Sequence, residues 1–154
     1  MKRLFFIAVM ALSLCGCGKI IDWWPINFYI QVVDAEGKDL LDPENDNSWI
    51  VGTQISFYGE SELIEEEDIA PQTRTLPAEY RGCMIEKGKE RYQLIFGEFP
   101  GGHEYDNEEL VITWPDGTSN KVTYKRRLNS VTVEAKEVIK LDGVKCSNPI
   151  VIVK

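Results

Sequence analysis

The sequence predicts an all-β fold: a single β-sandwich of seven or eight mostly antiparallel strands, with a small β-barrel as the alternative. Three observations lead there. Apolar and polar residues alternate with a period of two in several short runs. Clusters of Gly, Pro, Asp and Asn punctuate those runs at close intervals. No convincing long helical period appears, which argues against an alternating βαβ architecture.

The first run is residues 26–33, where Ile26, Phe28, Ile30 and Val32 alternate with Asn27, Tyr29 and Gln31. Such a strand buries one face. Residues 34–37 turn the chain, and 40–47 form a loop tucked in by Leu40 and Leu41. Residues 53–58 give a second strand, with Ile55 and Phe57 on alternate positions before Gly59. Residues 61–77 are the least regular: 65–68 are a charge run, and Pro71 and Pro77 forbid regular pairing. One or two helical turns over 60–69 fit part of that stretch.

Residues 79–86 and 91–99 read as a strand pair closed by Pro100 and two glycines. A hairpin follows: Leu110, Ile112 and Trp114 alternate, Pro115-Asp116-Gly117 turns, and Val122 and Tyr124 alternate back. Val131, Val133, Ala135, Ile139 and Leu141 share odd parity over a long strand, with a bulge expected where Glu137 and Val138 break the pattern. Asp142-Gly143 signals a two-residue hairpin, and residues 150–153 a closing strand begun by Pro149.

The first residues carry an address rather than a fold. Lys2 and Arg3 precede residues 4–14, an apolar run without charge. At about 1.5 Å per residue such a helix falls well short of a hydrocarbon core of roughly 30 Å, so the run reads as a secretory signal peptide. Leu14-Cys15-Gly16-Cys17 resembles the lipobox of bacterial lipoproteins, whose last cysteine is diacylated. Cys15 would place Leu14 before the cleavage point, where a small residue is needed; Gly16 before Cys17 meets that need. The organisation expected is therefore a signal peptide over 1–16, the lipidated Cys17 with a short tether over 17–24, and the sandwich domain over 25–154. The competing reading is an ordinary secretory peptide with two incidental cysteines. Trp23 and Trp24 then either lie at headgroup level or cover one end of the core, the second being preferred.

Removing 1–16 takes away two of the 17 basic and none of the 25 acidic residues, so the net charge goes from −8 to −10. With no basic stripe beyond Lys125-Arg126-Arg127, nucleic acid is not an expected partner. Cys83 and Cys146 are candidates for a disulfide in an oxidising compartment, with two buried thiols as the other reading. His103 is the only histidine, which excludes multi-histidine chemistry, and it follows Pro-Gly-Gly as an exposed turn residue would.

Asp42, Glu44 and Asp46 stand at alternate positions like the start of a calcium loop, a weak candidate because Asn47 and Thr53 replace the glycine and glutamate an EF-hand needs. Solvated turn carboxylates are the default, and no cofactor is expected. Carboxylate pairs suited to glycoside hydrolysis carry almost no signal among 25 acids. Tyr58, Tyr80, Tyr105 and Trp114 are candidates for exposed aromatics, Trp114 lying on the apolar parity of its strand.

Cys17-Gly18-Lys19, the segment 32–43 and the segment 112–118 resemble small lipoproteins of Bacteroidota with a β-rich domain. Those families carry no assigned activity. The resemblance implies attachment to the envelope, at the outer membrane. Surface-displayed members often carry acids just after the lipidated cysteine; here 18–22 hold only Asp22, which leaves the periplasmic and the outer side both open. The expected function is a non-enzymatic binding or assembly role towards a protein or glycan. The alternatives are a carboxylate-dependent hydrolase of the envelope and a purely structural component.

Overall fold

Alternation decides which face each strand buries. In β1 (Ile26–Val33), Ile26, Phe28, Ile30 and Val32 turn inward while Asn27, Tyr29 and Gln31 stay half-buried on the other face. The computed structural model describes residues 22–65 and 82–154, and no helix occurs within them. The remaining strands are β2 (Gln54–Phe57), β3 (Glu60–Leu63), β4 (Gly82–Lys87), β5 (Tyr92–Phe99), β6 (Tyr105–Thr113), β7 (Ser119–Asn129), β8 (Glu134–Leu141), β9 (Val144–Cys146) and β10 (Ile150–Val153).

They form two sheets, β10-β1-β5-β4 and β3-β2-β6-β7-β8-β9. Both keep their edges, so the fold is a sandwich and not a closed barrel. All pairs are antiparallel except β1 with β10. The inner faces meet in an aromatic centre. Phe57 of β2 sits 4.8 Å from Phe28 of β1 and 4.8 Å from Phe99 of β5, both edge-on, with Tyr105 and Tyr124 packed beside it. Edge-to-face rings match the positive rim of one ring to the negative face of the next.

The strand directions give the sandwich two unlike ends. β1 starts at the end where the tether enters and finishes at the other, where Lys154 donates to Thr118 and lies over the Trp49 and Trp114 rings. The loop from Asp34 onward belongs to that far end. Asp39 organises it: its carboxylate accepts from Leu41 N at 2.9 Å and from Tyr92 N, on β5, at 2.7 Å. Replacing Asp39 by alanine strands both donors and is expected to cost about 2–3 kcal/mol. A lower urea midpoint at unchanged slope would register it.

The described residues form ten strands where seven or eight were expected. Both additions are short edge strands. β3 stands where helical turns were expected over 60–69: Tyr58 and Gly59 both take positive φ, +50° and +82°, and fold β3 back on β2 as a two-residue hairpin. Residues 66–69 lie outside the described residues. β9 is the return arm of the Asp142-Gly143 turn, also with both φ positive.

The expected bulge at Glu137 and Val138 is absent: β8 pairs with β7 without a break from Glu134 to Leu141. Val131 and Val133 belong to the turn before β8, so the odd parity never spanned one strand. The bulge of this sheet lies on β6 at Asn107, whose φ is +60°. Val133 takes φ +57°, a left-handed conformation that costs a β-branched residue roughly 1–2 kcal/mol.

Candidate functional site

At the tether end the chain passes tightly over Gly101, where any Cβ would collide with the Trp24 carbonyl oxygen. Only glycine leaves room for that crossing. Residues 22–25 are thereby laid along the sandwich. The Trp23 ring lies over the Arg126 guanidinium, 5.8 Å from its centroid, and is half-buried. Trp24 is turned out, 87% exposed.

Beside Trp24 the sandwich is incomplete. β10 pairs only with Ile30–Val33 of β1, so among the described residues the first half of β1 has no strand on that side. The side chain of Asn148 stands in for one. Tyr29 N donates to its Oδ1 at 2.9 Å, and its Nδ2 donates to the Asn27 carbonyl at 2.7 Å. A side chain satisfies those backbone groups without filling the space a strand would occupy. The result is a groove of about 300 Å³ lined by Trp24, Phe28, Tyr29, Arg126, Glu137 and Asn148, among others.

The groove has a charged floor. Arg126 is buried, its Nη1 donates to Glu137 Oε1, and Tyr124 Oη donates to the same oxygen at 2.8 Å. Burial pushes the Tyr124 phenol well above its ordinary range, while the hydrogen bond with Arg126 works the other way; the phenol stays a neutral donor. Glu137 is 41% exposed, which sets its carboxylate at the wall of the groove. Arg126 Nε is buried without a hydrogen-bond partner. Next to this floor, Asp106 binds Lys125 at 3.0 Å and Arg127 at 2.9 Å, and those two cations, Lys125 first, hold its carboxyl below the usual range.

The residues singled out in the sequence fall elsewhere. Asp42, Glu44 and Asp46 lie in the far-end loop, where Asp42 Oδ1 accepts from Glu44 N at 3.0 Å. Among the described residues no three His, Cys, Asp or Glu side chains are grouped to hold a metal ion. The local reason is that Asp42 is used to cap its own turn.

Cys83 and Cys146, for which the sequence left a disulfide and two thiols both open, are thiols not joined to each other in this structure. Cys83 is on β4 and Cys146 on β9, the outermost strands of different sheets. Burial raises the Cys146 thiol. His103 is exposed in the turn after Pro100. Tyr105 and Trp114 are core residues at 1% exposure, whereas Tyr58 is half-exposed on the β2–β3 turn. Tyr80, Cys17 and the segment 1–16 lie outside the described residues. Glu86 and Glu98 border a smaller hollow on the outer face of β4 and β5, about 150 Å³, with four strand positions between Glu98 and Gln93, the partner of Glu86.

Sequence reading missed Arg126, Glu137 and Asn148. A signal existed for the first: Arg126 continues the inward parity of Val122 and Tyr124, so a cation stands at a core position of β7. Comparison with protein families, with characterised proteins and with solved structures finds no match for this chain.

Proposed function

We propose that this chain is an exported lipoprotein, anchored through Cys17 to the bacterial envelope, that binds a glycan in the groove beside Trp24. The expected address is the outer membrane, on either of its sides. The observation that carries the binding role is the groove itself. It combines an exposed indole with a carboxylate held in place by Arg126 and Tyr124. A sugar ring offers an apolar C–H face and a rim of hydroxyls. An indole suits the first and a carboxylate the second, and a rigid wall limits the entropy lost on binding. No covalent step is part of this role.

The test is calorimetric titration of the full chain with soluble fragments of cell-wall glycan. Binding is expected, and Trp24→Ala is expected to weaken it about tenfold, equivalent to roughly 1.4 kcal/mol. Glu137→Gln should weaken it as well, without loss of the fold. Absence of heat with every fragment, or equal affinity in Trp24→Ala, would remove the glycan reading. A protein partner is the second reading. It rests on the open edge of β10, where Val151 and Val153 are 44% and 65% exposed.

A further inference from the structure

The β7–β8 hairpin runs past the rest of the tether end. Beyond Arg126, which Trp23 covers, β7 continues to Asn129, and the chain turns through 130–133 into β8. Three more residues of strand carry the turn about 10 Å farther out. Residues 127 and 129–137 are exposed on both faces of this arm, with Leu128 half-buried.

Its tip is uncharged. Leu128-Asn129-Ser130-Val131-Thr132-Val133 separates Lys125-Arg126-Arg127 from Glu134, Lys136 and Glu137. Val131 is 92% exposed, the most exposed large apolar side chain among the described residues, and Val133 is 38% exposed. The turn also meets its own polar needs. Asn129 Oδ1 accepts from Val131 N at 3.0 Å and from Thr132 N at 3.3 Å, and Thr132 Oγ1 donates to Glu134 at 3.0 Å. A turn whose amides are satisfied internally leaves water at less cost.

The projecting arm and the loop after β1 differ in charge. Residues 125–137 carry four cations and two carboxylates, so the arm together with Glu104 and Asp106, which pair with Arg127 and Lys125, is neutral. The far-end loop 34–46 holds six acids against Lys38 alone within it. An anionic surface repels the second and not the first.

We propose that the tip of the β7–β8 hairpin rests in the lipid surface, with Val131 in the interfacial layer, the acidic loop 34–46 pointing away and the groove opening sideways near headgroup height. This rests on the anchor at Cys17. From there to Asp22 the chain spans at most about 17 Å, short enough to hold this end against the bilayer. A second tether point of this kind fixes an orientation that a flexible lipid anchor alone does not.

The test uses the full lipidated chain in vesicles of phosphatidylethanolamine and phosphatidylglycerol, in a Cys146→Ser background that leaves the buried Cys83. An environment-sensitive dye is attached through Thr132→Cys at the tip, or through Asn45→Cys at the far end as control. The tip probe is expected to shift to the blue and to be quenched by spin labels on the lipid chains; the far-end probe should do neither. Adding Val131→Asp should abolish the shift at the tip while the protein stays on the vesicles. A water-like tip probe on protein whose Cys17 peptide carries acyl chains would overturn the orientation alone. A water-like probe with an unmodified Cys17 peptide would remove the anchor and the orientation together.

Discussion

Phe57→Ala is expected to lower stability by about 3–5 kcal/mol, a large share of the roughly 5–15 kcal/mol that holds an ordinary domain together. Phe57 is 1% exposed and stands between the two sheets, touching Phe28 and Phe99 on one and Tyr105 and Tyr124 on the other. Deleting its ring removes transfer energy and leaves a cavity. The surrounding rings are pinned by their own strands and cannot close it. Urea unfolding followed by tryptophan fluorescence should show a lower midpoint with an unchanged slope. Phe57→Leu, which keeps most of the volume, should lose much less.

The second large effect is expected at the groove. Glu137→Ala leaves the Arg126 guanidinium buried, with Nη1 and the Tyr124 hydroxyl both losing their acceptor. Breaking a buried pair from one side costs about 3–5 kcal/mol, and the partial exposure of Glu137 reduces this to about 2–4 kcal/mol. Arg126→Met together with Glu137→Leu should recover most of the loss, because no charge is then left unpaired. A double-mutant cycle on urea midpoints reads the coupling directly. If Glu137→Ala were neutral, the floor of the groove would not be the rigid wall that the binding role needs.

The sandwich was legible in the sequence because its strands obey one rule. Ile26 to Val33 and Ile150 to Val153 follow the period of two, and Asp142-Gly143 and Pro115-Asp116-Gly117 punctuate as turns should. Two strands hid for different reasons. β3 buries neither face fully, so its sequence carries no alternation, and β9 has only three residues.

The long odd-parity run misled because parity survives a turn. Val131 and Val133 match Ile139 and Leu141 in parity, yet they belong to the turn that precedes β8 and not to the strand. The groove was almost illegible. It arises where β10 fails to reach the start of β1 and Asn148 substitutes for it, a match between residues more than a hundred positions apart. Only Arg126, a cation at an inward position, announced that this part of the core was unlike the rest.

The proposed anchor at Cys17 would give both the groove and the projecting hairpin their place. The most direct measurement of it is mass spectrometry of the N-terminal peptide of the protein purified from bacterial membranes. The expected peptide begins at Cys17 and carries a thioether-linked diacylglycerol, with Gly18 and Lys19 following. An unmodified peptide beginning at any other residue would contradict the account.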